Sequence, residues 1–209
     1  MAKRISTRDK VLTLLKREQQ LSVKELAELL NISEVAVRKH LNTLERDSLI
    51  QINEVKQPMG RPLQVYSLTS KSQEQFPKNY EGMTVEFLQD LQESQGNEVI
   101  DFLFNKRQDR LQKEYLPNML NKNQEQKVQE LAKIQNEKGY MTELTKISDD
   151  SYELIEYNCP IFSVANQFKK ACHCETAMFQ HVLGTNNVNR VSCQTEGESH
   201  CKFLIKLND

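Results

Sequence analysis

Two helical segments joined by a short turn are the strongest structural constraint in this sequence of 209 residues. Ser22 precedes the apolar-periodic segment 23–30 and, with Glu25 three residues later, forms a capping-box pattern. Ser33 ends a three-residue turn and is placed to cap the next helix. A further helix, expected to end near Arg17, precedes them. This order is typical of a helix-turn-helix arrangement.

The third helix carries polar side chains on the faces that its apolar residues leave free. Its inward positions repeat at helical spacing and are Val37, Leu41 and Leu44. Arg38, Lys39 and Asn42 carry donors that match guanine, phosphate and adenine edges of DNA. The residues expected to contact DNA from this helix are Ser33, Ala36, Arg38, Lys39 and Asn42.

A hairpin follows this helix and completes the domain. Residues 49–52 and 65–68 have the composition of two strands, and a Gly-Arg-Pro run at 60–62 lies between them. Such a stiff tip can place Arg61 in a neighbouring minor groove. The segment 1–76 is therefore predicted to be a winged helix-turn-helix domain that binds double-stranded DNA.

The distribution of charge agrees with this division of the chain. Residues 1–76 contain 13 Lys and Arg against 9 Asp and Glu, whereas residues 77–209 contain 15 against 20. The amino-terminal part is therefore positive and the remainder negative. A basic domain favours contact with a phosphate backbone, because each neutralised phosphate releases counterions.

Two further segments complete the predicted architecture. Residues 77–139 show amphipathic helical spacing and are predicted to be a helical linker that dimerises the protein or, alternatively, an ordinary intramolecular core. Residues 140–209 combine strand and helix patterns and are predicted to be a small α+β domain. One of its helices is expected from Pro160 to about Cys172, and another over 175–183. The fold class expected for the chain is α+β.

The cysteines of the chain all fall in its last 51 residues. They are Cys159, Cys172, Cys174, Cys193 and Cys201. An odd number of thiols in a reducing compartment argues against a disulfide framework and favours metal binding, a reactive thiol or burial. Thiolates suit zinc, cuprous ion and iron–sulfur clusters. Close C-x₂₋₄-C pairs, the usual mark of structural zinc, are missing from the sequence, and spacing alone leaves these possibilities open.

Motifs at both ends of the chain share a pattern with one known family. The carboxy-terminal motifs are Cys159-Pro160-Ile161, Cys172-x-x-Glu175, Leu183-Gly184, Val188-x-Arg190 and Gly197-x-x-x-Cys201-x-Phe203-x-Ile205. The amino-terminal motifs are Ala36-Val37-Arg38-Lys39-His40-Leu41, Gly60-Arg61-Pro62 and Tyr66-Ser67-Leu68-Thr69. Together they resemble the SufR-type regulators, winged-helix repressors of iron–sulfur cluster assembly genes. The helices between them match that family in character only.

The resemblance implies a homodimer whose carboxy-terminal cysteines bind an iron–sulfur cluster, [4Fe–4S] or [2Fe–2S]. Occupancy of the cluster would then control binding to the DNA operator, most simply as a repressor. Carried over residue by residue, the resemblance assigns ligand roles to Cys159, Cys172 and Cys201. Zinc is the alternative metal.

One ligand position is not matched directly. The family pattern leads us to expect a cysteine midway between Cys172 and Cys201, where this sequence has Asn186. Cys193 is the predicted replacement. The remaining candidates are Cys174, His173 and His200.

Other functions compete with this interpretation. A winged-helix regulator that senses zinc, a small organic ligand or thiol oxidation without a cluster is the alternative. The sequence contains no Gly-rich phosphate loop, no His-Glu-x-x-His and no Gly-x-Ser-x-Gly motif, so we do not expect an enzyme. Without a signal-peptide pattern or an apolar run near the roughly 18 residues that span a bilayer, a cytoplasmic location with no membrane partner is expected.

Overall fold

The computed structural model describes residues 6–207 and divides the chain into two compact units, Met1–Lys78 and Asn79–Asp209. Residues 1–5, on which the expectation of no signal peptide partly rests, lie outside the described range. The predicted α+β class is confirmed, with a helix-turn-helix domain first, helices in the middle and a small sheet at the end. None of the described helices combines the length and the apolar character that crossing a membrane requires.

The amino-terminal unit combines helices with an antiparallel sheet. Its helices are α1 (Thr7–Glu18), α2 (Val23–Leu30) and α3 (Glu34–Arg46). Its strands are β1 (Gln20–Ser22), β2 (Ile50–Val55) and β3 (Leu63–Leu68), in the sheet order β1-β3-β2, and a short 3-10 helix follows at Ser70–Gln75. The predicted helices and hairpin are confirmed. Three residues are too few to show alternation, so the sequence pattern does not indicate β1.

Side-chain caps set where the helices of the tight turn begin. Ser22 Oγ accepts the Glu25 backbone N–H at 3.3 Å, and the Glu25 carboxylate accepts the Ser22 backbone N–H at 2.7 Å. Ser33 Oγ accepts the Ala36 backbone N–H at 3.3 Å. Asn31 adopts a left-handed conformation, with φ 53°, and ends α2 just before it. The predicted caps are confirmed, and they satisfy helix-end N–H groups that a short turn would otherwise leave without partners.

One side of each helix is buried in the core of this unit. The apolar side chains with at most 1% exposure are Val11, Leu15, Leu26, Val37, Leu41 and Leu44. Because the last three of these lie along one side of α3, the opposite side of that helix faces solvent.

The carboxy-terminal unit combines five helices with a four-stranded antiparallel sheet within the described residues. The helices are α4 (Tyr80–Gln95), α5 (Asn97–Met119), α6 (Gln124–Glu137), α7 (Phe162–Gln167) and α8 (Lys170–Leu183). The strands are β4 (Thr142–Lys146), β5 (Ser151–Glu156), β6 (Val188–Ser192) and β7 (Cys201–Lys206), in the order β4-β5-β7-β6. Helix α8 packs along α5 and also contacts β6.

The middle helices share one core with the sheet. Phe104 of α5 and Leu131 of α6 belong to the same buried cluster as Leu154 of β5 and Phe203 of β7. All of the segment 77–139 except its first two residues therefore lies in the same compact unit as the cysteine-bearing residues. A role for this segment in dimerisation stays a prediction.

The helices around Cys172 differ from the predicted ones. In place of a helix from Pro160 to about Cys172 and another over 175–183, α7 ends early and α8 runs without a break through Cys172. The break falls at Phe168, which leaves helical geometry with φ −120° and ψ 84°. Its buried ring packs near Phe104, with ring centroids 6.3 Å apart. Tertiary packing of this ring, which the local pattern does not reveal, accounts for the difference.

Replacing Ser22 by alanine is expected to lower the free energy of unfolding of the amino-terminal unit by about 1 kcal/mol, because α2 loses its side-chain cap. Hydrogen exchange of α2 amides at increasing urea concentration measures this change. Ser70→Ala is the matched control, since Ser70 is exposed and its side chain has no hydrogen bond within the described residues. That variant should differ from wild type by less than about 0.5 kcal/mol. Equal losses in both variants would contradict the capping role.

Candidate nucleic-acid interface and thiol cluster

The exposed side of α3 carries most of the residues predicted to contact DNA. Arg38, Lys39 and Asn42 are exposed, whereas Ala36 is half-buried. Ser33 is exposed at the start of the helix, where its hydroxyl is already used as the cap. The exposed side of α3 therefore presents three long polar side chains, and they follow the small residues Ser33 and Ala36.

A groove of about 650 Å³ lies between the start of α3 and the hairpin. Arg38 of α3, Arg61 of the hairpin tip and Lys24 of α2 line it, together with the carboxylates of Glu34 and Glu54. Arg38 Nη2 lies 3.9 Å from Glu34 Oε2. An exposed ion pair of this kind is weak, so the guanidinium can exchange its partner for a phosphate or a base edge.

Contacts through Cys193 and Thr195 link three of the five cysteines in the carboxy-terminal unit, and the charge of the Cys172 thiolate acts on a fourth. We refer to these four residues, Cys159, Cys172, Cys193 and Cys201, as the thiol cluster. Three of these side chains are buried and Cys159 is half-buried. They come from a loop, from the first turn of α8, from the residue that follows β6 and from the start of β7. Residues widely separated in sequence are thus brought to one place by the packing of α8 and the sheet.

Cys193 lies at the centre of the thiol cluster. Its Sγ is 3.9 Å from Cys201 Sγ, whose thiol donates to it, and 3.3 Å from Thr195 Oγ1. The same threonine hydroxyl is 3.8 Å from Cys172 Sγ. Thr195 therefore bridges Cys172 and Cys193.

The pKa of Cys193 differs in direction from those of the other cluster thiols. Burial raises the pKa of Cys193, but other groups outweigh this effect and lower the pKa below its usual value. They are the side chain and backbone of Thr195, which form hydrogen bonds to the thiolate, the Arg190 guanidinium and the Cys201 thiol. Burial raises the pKa of Cys201 to about 12 and that of Cys159 to about 11. Cys193 is thus the most readily ionised thiol, and the thiolate is the form that binds metals.

Cys172 and Cys159 are harder to ionise because they are shielded from water and, to a smaller extent, because negative groups lie near them. Burial raises the pKa of Cys172, and the neighbouring charge of Cys193 raises it further. After burial, the charges of Glu175 and Cys172 raise the pKa of Cys159. A cation among these groups would lower the pKa values of the thiols, since it favours the thiolate form.

Cys174 and the nearby histidines are not part of the thiol cluster. Cys174 lies two residues after Cys172 on α8, so the two side chains diverge. Its thiol lies 3.6 Å from Asn105 Oδ1 of α5. His173 is exposed, and a ring nitrogen of His200 lies 2.8 Å from the hydroxyl of the preceding serine. The structure therefore does not bring these three candidates to the thiols.

Residues 7–60 match the family model of an HTH domain. No curated protein matches the chain. A transcriptional regulator homologue from Pyrococcus horikoshii OT3 is 20% identical over 32% of this chain and 66% of its own length, just under two thirds, with a TM-score of 0.29. ZitR, a zinc-responsive MarR family member from Lactococcus lactis, is 25% identical over 44% of this chain and 77% of its own, with a TM-score of 0.29. AdcR from Streptococcus pyogenes is 22% identical over 51% of this chain and 81% of its own length, and its TM-score is also 0.29. These TM-scores are too low to show a common overall fold.

The amino-terminal unit of the chain is a helix-turn-helix domain of the winged-helix type. The matched segment covers α1, α2, α3 and β2 and ends at the tip of the wing. The HTH-domain match agrees with the expectation that the chain is not an enzyme.

A buried carboxyl group that the sequence motifs did not reveal lies beside the thiol cluster. Glu156, at the end of β5, is 1% exposed and is paired with Cys201 in the β5–β7 register. Gln135 Nε2 donates to its Oε1 at 2.8 Å, while its Oε2 has no hydrogen-bond partner within the described residues. A signal was present in the sequence. Tyr152 and Leu154 are the two earlier buried positions of β5. Glu156 continues this alternation, so a charged residue lies where the pattern predicts an apolar one.

A second acid shares this interior. Burial raises the pKa of Glu156 well above its ordinary value, and the charge of Glu175 raises it further. Burial also raises the pKa of Glu175, against hydrogen bonds from Tyr140 and Gln135. The positive charge of the Arg190 guanidinium lowers the pKa of both acids, and this guanidinium donates to the Cys172 carbonyl at 2.8 Å. The surroundings of the thiol cluster are therefore rich in negative groups.

The residues of the thiol cluster fit a metal centre in donor type. In residues 6–207, no three His, Cys, Asp or Glu side chains are arranged to hold a metal ion as they stand. Thiolates are nevertheless the donors that soft metals and iron–sulfur clusters use. The Glu156 oxygen without a partner is a further donor in the same interior. Binding would require these side chains to draw closer together.

Replacing Tyr115 by phenylalanine is expected to lower the free energy of unfolding of the carboxy-terminal unit by about 1–3 kcal/mol. Its hydroxyl donates to buried Gln135 Oε1 at 2.6 Å, and removing it leaves that oxygen without a partner. Urea unfolding followed by near-ultraviolet circular dichroism measures the change. Tyr157→Phe is the control, because the Tyr157 hydroxyl bonds to Glu143 at the surface. A loss below about 0.5 kcal/mol in both variants would contradict a stabilising role for the buried bond.

Proposed function

We propose that this regulator binds operator DNA through α3 and the wing, and that an iron–sulfur cluster held by the thiol cluster controls that binding. The observation that best supports the proposal is the linkage of three thiols from separate segments, Cys172, Cys193 and Cys201, through Cys193 and Thr195. The resemblance to SufR-type regulators assigns ligand roles to Cys159, Cys172 and Cys201. Cys193, which lies between Cys172 and Cys201 in space, supplies the fourth thiolate.

The DNA-binding half of the proposal is supported by the exposed chemistry of α3 and the hairpin tip. The proposed contact residues are Ser33, Ala36, Arg38, Lys39, Asn42 and Arg61. The guanidinium of Arg38 can donate to a guanine edge in a major groove, and the amide of Asn42 can bind an adenine edge there. Lys39 and Arg61 suit phosphates or a minor groove. Ser33 and Ala36 are small, so the first turn of α3 can approach the DNA closely.

Replacing Arg38 by alanine is expected to weaken binding to a duplex selected from a random pool by about tenfold or more. A lost bidentate base contact costs about 1–3 kcal/mol. Binding to unrelated duplex DNA should fall less, and fluorescence anisotropy at fixed salt measures both affinities.

The matched control for this experiment is Arg17→Ala, which removes the same charge from an exposed position near the end of α1. It should change either affinity by less than about threefold, as expected for one non-contacting charge. If Arg17→Ala and Arg38→Ala weaken the selected duplex equally, α3 does not read bases and this part of the proposal is wrong.

The residues around the thiols can hold and tune a metal centre. When bound, an iron–sulfur cluster supplies a redox-active centre whose potential depends on charge and on hydrogen bonds to its sulfur ligands. Thr195 is placed to donate a hydrogen bond to the thiolate of Cys172 or Cys193. Arg190 offsets part of the negative charge near Cys193. Such outer groups commonly change metal affinity by roughly 10–100-fold.

Control of operator binding requires that the filled and empty thiol cluster favour different arrangements of the dimer. A tenfold change in DNA affinity corresponds to a coupling free energy of about 1.4 kcal/mol, within the usual range for allosteric proteins.

We assign the dimer interface to the segment 77–139. Helix α4 has no buried residue, and Phe87 and Phe102 are 58% and 57% exposed on α4 and α5. Exposed apolar side chains on helices are typical of an association surface.

Protein isolated without oxygen is expected to contain iron and acid-labile sulfide and to give an electron paramagnetic resonance signal after reduction. Cys172→Ser should lose most of the iron and sulfide, because it removes a thiolate ligand. Cys174→Ser should keep them, since Cys174 faces Asn105 on the other side of α8. Iron chelation should change operator affinity about tenfold in wild type and Cys174→Ser, but not in Cys172→Ser.

Two outcomes would count against the iron–sulfur proposal. Wild-type protein that binds no iron after anaerobic reconstitution with ferrous iron and sulfide would exclude the cluster. Equal loss of iron from both serine variants, with unchanged circular dichroism, would show that Cys172 has no special role.

Zinc is the second candidate, and one distance favours it. A tetrahedral zinc site with Zn–S bonds of about 2.3 Å places its sulfur ligands about 3.8 Å apart. The Sγ atoms of Cys193 and Cys201 are 3.9 Å apart. Colourless protein with one zinc per chain, and operator affinity that responds to zinc and not to oxygen, would replace the iron–sulfur proposal by this one.

A further inference from the structure

One large apolar side chain of α3 lies outside the core. Val35 is 78% exposed, whereas Val37, Leu41 and Leu44 of the same helix are at most 1% exposed. With 3.6 residues per turn, Val35 lies on the side of the helix opposite these buried residues. Single apolar side chains on a protein surface are common and need no explanation. The position of Val35 on α3, rather than its exposure alone, indicates a role.

Val35 lies on the same face of α3 as the long polar residues proposed to contact DNA. Arg38, Lys39 and Asn42 follow it by three, four and seven residues, which is the spacing of side chains on one helix face. All four residues are exposed. Ala36, another proposed contact residue, is half-buried and lies about a quarter-turn away. The face that presents positive charge to a phosphate backbone therefore also presents an apolar group.

Val35 is also at the end of α3 from which a recognition helix reads bases. It is the second residue of the helix, whose start is fixed by the Ser33 hydroxyl accepting the Ala36 backbone N–H at 3.3 Å. The first residues of a recognition helix contact base edges in the major groove. Side chains in a helix lean toward its amino terminus, and valine has one strongly preferred rotamer there. Little conformational freedom is therefore lost when this side chain packs against a base.

The chemistry of the major groove limits what Val35 can contact. Base edges present hydrogen-bond donors and acceptors, together with the C5-methyl group of thymine. An apolar side chain packed on a donor or acceptor would leave that group without a partner, which is unfavourable. The methyl group loses no hydrogen bond when it is covered, and its burial is favourable.

We infer that Val35 recognises the C5-methyl group of a thymine in the operator, an inference that rests on the proposed function. Val35 precedes Arg38 by about 4.5 Å along the helix, and stacked base pairs are about 3.4 Å apart. The thymine therefore lies within about two base pairs of the base that Arg38 contacts. Val35 selects thymine at this position, whereas the polar side chains of α3 select at the neighbouring ones.

Replacing single thymines by uracil tests this inference, because uracil pairs as thymine does but lacks the C5-methyl group. In the duplex that wild-type protein selects from a random pool, uracil at this position should weaken binding about fourfold, the value for one buried methyl-sized group. Val35→Ala should bind the unmodified duplex at least about fourfold more weakly and should no longer distinguish thymine from uracil there. Fluorescence anisotropy at fixed salt measures the affinities of both proteins for both duplexes. Alanine is a good helix former, so the exposed substitution leaves α3 folded.

Leu29→Ala is the matched control, since Leu29 is an exposed apolar residue of α2, with 56% exposure. This variant should keep the fourfold preference for thymine, and Arg38→Ala should keep it at reduced overall affinity. Equal wild-type affinity for thymine and uracil at every position would overturn the role of Val35. So would a preference that survives in Val35→Ala, while weaker binding by Arg38→Ala leaves the proposed DNA contacts standing. Wild-type protein that selects no sequence from the pool removes both.

Discussion

A pair of buried aromatic rings sets the position of α8 against the sheet. Phe179 of α8 and Phe203 of β7 are fully buried, and their ring centroids are 4.9 Å apart in an edge-to-face arrangement. Cys172 lies seven residues before Phe179 and so on the same side of α8. Cys201 lies two residues before Phe203 and so on the same face of the sheet. Packing of the two rings therefore also brings the two thiols toward each other, and the thiol cluster depends on it.

The interior beside these rings is more polar than stability requires. Glu156, Glu175 and the Tyr115–Gln135 pair occupy positions that apolar side chains of similar size could fill. Replacing buried polar networks by well-packed apolar residues is often neutral or stabilising. Proteins tend to break local packing rules at functional sites. The acids and thiols of this interior are therefore consistent with the proposed ligand site.

Local rules determine the amino-terminal unit almost completely. Ser22 and Ser33 cap helices within three residues of themselves, and Gly60 takes φ 97° at the tip of the wing. Because caps, turns and helical periodicity involve near neighbours in sequence, they can be read without the tertiary structure. The same periodicity that buries Leu41 leaves Arg38 outside. The predicted elements of this unit accordingly agree with the structure, apart from the short β1.

In the carboxy-terminal unit, the sequence by itself determined the α+β class and the set of thiols from which a site could be built. Only the tertiary structure decided that Cys193 joins the cluster while Cys174 turns toward α5, and that Glu156 lies across from Cys201. It also moved the helix break to Phe168. The physical reason is that distances between residues remote in the chain are set by how α8 packs on α5 and the sheet. Spacing along the sequence carries no information about that packing.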